Sequence, residues 1–187
     1  MWVLAVAASV VVIVVLALLS NHPPTAQLTN TIAPPNGATA PDFSATAADD
    51  KSYSLAQFRG SPVLVEFMAP WCSHCQAEAP MFNQIHDTYT AKGVQMLGVS
   101  ASPYGHTYDQ TNSPPIAMDD LKWFSTTYSV TYPLLFDPEL KAANAYAIQA
   151  YPTVYIVDKA GTIQSHFVYP FDQPTLTAEL DKALAAK

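Results

Sequence analysis

The chain has 187 residues and a formal net charge of −7, with eight basic residues against fifteen acidic ones. That length suits one domain plus an appendage. The basic residues stand singly and form no patch, which argues against nucleic-acid binding, and two cysteines leave no second pair for a four-cysteine zinc centre.

Trp2 to Leu19 is an uninterrupted run of apolar and small residues without a charge. As a helix it would be about 27 Å long, enough to cross a bilayer core. It exceeds the usual apolar region of a cleaved signal peptide, and no small-residue cleavage site follows it. The run therefore predicts a transmembrane anchor within residues 1–20, with signal cleavage and secretion as the alternative. No Lys or Arg flanks it, so the charge bias that normally sets orientation is missing. The C-terminal domain is placed outside the cytoplasm on other grounds: a tethered domain with a closely spaced cysteine pair fits the compartment where disulfides form. Residues 21–40, rich in Pro, Thr, Ala and Asn, read as an extended tether. Residues 41–187 then form the folded domain.

Asp42 to Ala47 predicts a strand, with a turn at Asp49-Asp50-Lys51 before a second short strand. Ser54 to Gly60 predicts one helical turn, capped by Ser54 and closed by Gly60. Val63 to Met68 is a buried strand by its apolar run. Cys72 to Ala91 follows as a long helix that Pro80 should kink. Val94 to Ser100 is a second apolar strand, and Ala101 to Pro115 is a long aperiodic loop, read as an ordinary surface excursion with a functional loop as the alternative. Met118 to Tyr128 is a helix, Tyr132 to Phe136 a short strand, and Pro138 to Tyr146 a helix with Asp137 at its N-cap. Thr153 to Val157 and Ile163 to Tyr169 pair through a turn at Asp158 to Gly161, and Pro174 to Ala186 closes the chain as a helix. Strands alternating with helices, then a hairpin and helix, predict a three-layer α/β domain with a mixed sheet.

The chemistry concentrates at Cys72 and Cys75. They sit where a buried strand hands over to the first turn of a helix. Unpaired N–H groups and the helix dipole there stabilise a thiolate, so the thiol pKa falls. Cys72, at the tip, is the expected exposed attacking sulfur, and Cys75, one turn further in, the resolving one. A zinc half-site and a purely structural disulfide are weaker readings, because the remaining histidines are scattered and Trp71 beside the pair suits a docking surface. Trp71 as plain core filler is the alternative. Glu66 lies within an apolar strand, where burial is costly and should raise its pKa; the opposing reading is an edge-strand glutamate facing water. His74, between the cysteines with Ser73, can stabilise the Cys72 thiolate, which would make the disulfide a stronger oxidant; Ser73-His74 as solvated filler is the alternative.

The segment Val65 to Cys75 resembles the active-site segment of thioredoxin-like proteins. Pro80 falls at that family's helix proline, and Tyr151-Pro152-Thr153 resembles its cis-proline segment. Cys75-x-x-Glu78-x-Pro80, with Gly98-Val99-Ser100, is similar to the membrane-anchored TlpA/ResA branch of AhpC/TSA-related redoxins. The resemblance covers about residues 40 to 187. It implies a thioredoxin-like three-layer α/β/α sandwich with a central mixed sheet, a Cys72–Cys75 disulfide in the oxidised state, and no cofactor or resident metal. It implies that Glu66 relays a proton for Cys75, that Pro152 is cis, and that Tyr151 touches sulfur and substrate. The implied activity is thiol–disulfide exchange with protein substrates by a monomer, recycled by a membrane redox partner and running as a reductant. His74 instead resembles the disulfide-forming oxidase DsbA. A peroxiredoxin is disfavoured by Ala69 three residues before Cys72 and by a single arginine, Arg59. A Sco-type copper chaperone would need one more residue between the cysteines, with His166 as a weak ligand. A non-catalytic binding module using the Trp71/Tyr151 surface is the rival of another class.

Overall fold

The computed structural model describes residues 32–186. The predicted anchor at residues 2–19 and most of the tether lie outside the described residues. Among the described residues, no helix is long and apolar enough to cross a membrane.

Among the described residues, seven strands and four α-helices follow in order: β1 (Ser44–Thr46), β2 (Ser52–Ser54), β3 (Val63–Met68), α1 (Ser73–Thr90), β4 (Gln95–Ser100), α2 (Met118–Thr127), β5 (Leu134–Leu135), α3 (Lys141–Ala145), β6 (Thr153–Val157), β7 (Ile163–Val168) and α4 (Gln173–Ala185). A 3₁₀ turn at Leu55–Phe58 precedes β3, and the Gln57 side chain accepts from the Ser54 N–H at 3.0 Å.

The main sheet runs β5-β4-β3-β6-β7, so β3 is central. β3 pairs parallel with β4 and antiparallel with β6; β4–β5 is parallel and β6–β7 antiparallel. This is the mixed sheet expected. All six β3 residues are buried, as required of a strand covered on both faces. Their alternation sends Leu64 and Met68 into one core with Phe82 and Ile85 of α1, Phe124 of α2 and Leu180 of α4. Val65 and Phe67 enter the other core, against Leu55, Ala143 of α3 and Tyr146. The result is the layered thioredoxin-like architecture.

Both sheet edges are partly covered. Residues 37–40 bond to the β7 end, with Ile163 N–H donating to Ala38 at 2.8 Å. On the other side Ala48 N–H donates to Leu134 at 2.8 Å.

Two expectations need correction. The helix expected from Pro138 begins only at Lys141. Asp137 still caps it, accepting from the N–H groups of Lys141, Ala142 and Ala143 at 2.8 to 3.1 Å. Leu140, with φ of 54° and its side chain fully buried, breaks the helix before that point. The stretch 101–115 is also no bare excursion: Tyr104 bridges Pro115, and Asp109 folds the tip by accepting from the N–H groups of Thr111 and Asn112.

Candidate active site

β3 ends at Met68, and the chain turns through Ala69 and Pro70. The Cys72 N–H donates to Ala69 O at 3.0 Å, and the Gln76 side chain holds Pro70 O at 2.9 Å. Cys72 becomes the N-cap of α1, its sulfur accepting from the Cys75 N–H at 3.5 Å. A sulfur takes the capping role that a serine or aspartate oxygen usually fills. α1 then runs unbroken through Pro80, which lacks the N–H for its own helical bond.

Both cysteines are free thiols in this structure. Cys75 is fully buried, and Cys72 is only 6% exposed. Cys72 is therefore less open than its place at the tip suggests, because the Tyr151 segment covers it. The Cys72 sulfur lies 3.7 Å from the Tyr151 carbonyl, to which the thiol donates. The Tyr151–Pro152 bond is cis, as the resemblance implies; a second cis bond, Tyr169–Pro170, was not anticipated.

The two thiols are driven apart electrostatically. A hydrogen bond from Cys75 is the main force pulling the Cys72 pKa down from 9.0 to about 6, aided by the backbone N–H groups of Cys75 and His74 and by the His74 charge, against burial. Burial chiefly pushes the Cys75 thiol far up, and the charges of Glu66 and Cys72 add to it. At neutral pH the pair is one thiolate and one thiol. The thiolate is the one that can reach an incoming disulfide.

Glu66 is 1% exposed, in the middle of the central strand, which removes the edge-strand reading. Burial lifts its pKa to about 8, the Tyr132 hydroxyl opposes this, and the charges of Cys72 and Glu78 add to the rise. Tyr132 donates to Glu66 Oε2 at 2.7 Å.

The remaining predicted residues frame the pair. Trp71 is half-buried; its indole N–H donates to Ser102 Oγ at 2.8 Å, and its ring meets Tyr151 edge-on at 5.8 Å. The Tyr151 hydroxyl donates to Ala101 O at 2.7 Å. Ser73 and His74 are exposed, and the His74 ring stacks on Tyr169 at 4.4 Å. The fold thus brings Trp71, Cys72, Cys75, Glu66, Tyr151 and Pro152 to one place, with Ser73 and His74 on its rim.

Residues that sequence reasoning missed complete it. Tyr132 was placed only as the start of a short strand, Tyr169 as a strand end, and Ser102 and Tyr108 as loop. Tyr108 packs on Trp71 at 4.8 Å and stacks on Tyr104 at 4.6 Å, so the loop extends the aromatic wall beside Cys72. The loop is fastened by Asp120, which accepts from the Ala117 and His106 N–H groups and pairs with the His106 ring. Residues that the rival readings need lie elsewhere. The Arg59 guanidinium donates to Ala160 O, near the opposite end of β3 from the cysteines, and His166 contacts Asn36 and stacks on Tyr155.

Known proteins are similar to this chain in sequence and in fold. The thioredoxin-like protein YneN of Bacillus subtilis (strain 168) is 32% identical over 146 residues, covering 78% of each chain. The thiol-disulfide oxidoreductase ResA of Geobacillus thermodenitrificans (strain NG80-2) is 27% identical over 128 residues, 68% of this chain. The match spans 66% of that ResA, just under two thirds of its length. A solved thiol:disulfide interchange protein of the thioredoxin family from Chlorobium tepidum TLS superposes with a TM-score of 0.65 at 26% identity, covering 81% of this chain and 99% of that one. Residues 36–166 match the AhpC/TSA family, and by that span, with the fold and the paired thiols just described, the chain belongs to it.

Proposed function

We propose that the protein is a thiol–disulfide oxidoreductase, tethered to the membrane by its N-terminal segment and acting outside the cytoplasm as a reductant of protein disulfides. The observation that carries this reading is the asymmetry of the dithiol: a Cys72 thiolate formed near pH 6, with Cys75 kept protonated beside a buried acid. The names of the ResA relative and the Chlorobium neighbour support it.

The Cys72 thiolate attacks a substrate disulfide, forming a mixed disulfide as one substrate sulfur leaves as thiolate and takes a proton. Cys75 gives its proton to Glu66 when that carboxyl is ionised, a minor fraction at neutral pH that grows as pH rises through about 8. Its sulfur then bonds to Cys72, breaking the mixed disulfide and releasing the second substrate thiolate. Two electrons pass to the substrate, and the protein is left as the Cys72–Cys75 disulfide. A membrane redox partner of matching dithiol chemistry returns it to the reduced state. Trp71, Tyr151 and the backbone at Pro152 form the surface on which the substrate lies.

The direction rests on the Cys72 pKa. Thioredoxin-type reductants have values of about 7 and DsbA about 3.5, so a value of about 6 falls near the reducing group. Equilibration with redox buffers tests this. A potential near −270 mV supports the reductant, and one near −120 mV makes the protein an oxidase. A Cys75→Ser variant is expected to trap mixed disulfides; continued turnover by it would overturn the scheme. A full chain that stays in the soluble fraction counts against the tether.

A further inference from the structure

The inference concerns how Glu66 is held, and it rests on the dithiol-exchange reading above. Glu66 stands opposite Gly98 across the β3–β4 ladder. Gly98 in turn faces Leu134 of β5. A Cβ at Gly98 would lie 2.5 Å from the Leu134 Cδ2 and 3.1 Å from Tyr132 Cε2. The place of the missing side chain is taken by the Leu134 side chain, with the edge of the Tyr132 ring close beside it. The ring ends with its hydroxyl on Glu66 Oε2. Tyr132 is 4% exposed, so this hydroxyl is shut away from bulk water. A buried carboxyl group with one fixed donor has one committed oxygen and one left to exchange a proton.

We propose that Tyr132 is a positioning residue for the resolving step, its hydroxyl pinning one Glu66 oxygen so that the other receives the Cys75 proton. The groups facing Glu66 are Tyr132, Cys72, Cys75 and Glu78. Those facing Tyr132 are Glu66, Cys75 and the His86 ring at 6.0 Å, itself bonded to Thr131 and near Asp87. None of these but the phenol donates to the Glu66 carboxylate, so its loss leaves burial unopposed. In the step itself Cys75 loses its proton to Glu66, the Cys75–Cys72 bond forms, and the Cys72–substrate bond breaks. Tyr132 keeps its own proton throughout.

The test uses the full-length chain, reduced and mixed with a chromogenic aromatic disulfide. Cys72 attack releases one coloured thiol, and Cys75 attack releases the second. The pH dependence of each phase is compared in the unsubstituted chain, Tyr132→Phe, and a protein with fluorotyrosine at that position, which is nearly isosteric and a stronger donor. In Tyr132→Phe the second phase is expected to move up by about one pH unit, roughly tenfold slower near neutrality, with the first phase unchanged. Fluorotyrosine is expected to move it down. In a Glu66→Gln background, Tyr132→Phe changes nothing further. Superimposable second-phase profiles, or an undiminished effect in the Glu66→Gln background, overturn the proposal. Should Tyr132→Phe not fold, an unshifted fluorotyrosine profile overturns it alone. Absence of a second coloured equivalent from the unsubstituted chain counts instead against dithiol exchange itself.

Discussion

Cys72 and Cys75 carry the same functional group, and their surroundings divide the labour. Cys72 caps a helix and collects donors; Cys75 donates and is buried. The largest force on the Cys72 pKa is the hydrogen bond from Cys75, ahead of the His74 charge. A Cys75→Ala variant is therefore expected to raise the Cys72 pKa from about 6 by more than His74→Ala does, read from the pH dependence of alkylation. A larger shift in His74→Ala would mean that the rim imidazole, not the inner thiol, sets the thiolate. That Cys72 should be the low-pKa sulfur was legible from its position alone, because the strand-to-helix handover places N–H groups around it. That Cys75 would be the chief donor was not, since a contact between sulfurs depends on side-chain geometry within the first turn.

At the scale of the element, legibility followed how much of the driving force was local. β3 was predicted with its observed ends because six consecutive buried positions leave a continuous apolar mark in the sequence, broken only by Glu66. The Asp137 cap was found, yet the helix start was misplaced by three residues. Leu140 takes a left-handed conformation to bury its side chain, and no local preference announces that. The 101–115 loop was undervalued because aromatic residues without a period give no sign of what they will pack on. Its Tyr108 rests on Trp71, the residue before Cys72. Truncating it with Tyr108→Ala removes aromatic contact worth about 1 kcal/mol, which is roughly fivefold in kcat/KM for a disulfide-bonded protein substrate. A small aliphatic disulfide, too short to reach the wall, is expected to react as before. Equal losses on both substrates would show that the loop supports Cys72 rather than docking a substrate. Tyr132 was missed for the same kind of reason: Gly98 in mid-strand was a hint of close approach, but the approaching group comes from a segment 34 residues later.

For the molecule as a whole, the site is a compromise between stability and reactivity. Glu66 titrates at about 8 when folded and near 4.5 when unfolded, so the folded state holds its proton more tightly. Its contribution is full below pH 4.5 and is lost as pH rises to about 8, with an upper bound of about 5 kcal/mol. Cys72 works in the opposite sense in the reduced protein, its contribution being full above pH 9.0 and lost as pH falls to about 6. Urea unfolding of the oxidised protein, where the Cys72 thiolate is absent, isolates the first effect. The gap between the unsubstituted chain and Glu66→Gln is expected to shift in favour of Glu66→Gln as pH is raised from 5 to 8. A gap constant with pH would mean that the acid is not held protonated in the fold. The central strand also sets a clock. Glu66 is locked by ladders to Gly98 on one side and Val154 on the other, so its amide hydrogen escapes only when the sheet itself opens. The first turn of α1, with its cysteine cap, hangs from that strand by a short turn. Deuterium labelling of the two redox states would then find the memory of the last reaction written in the exchange lifetimes of residues 72–76, against a β3 that keeps the same slow time in both.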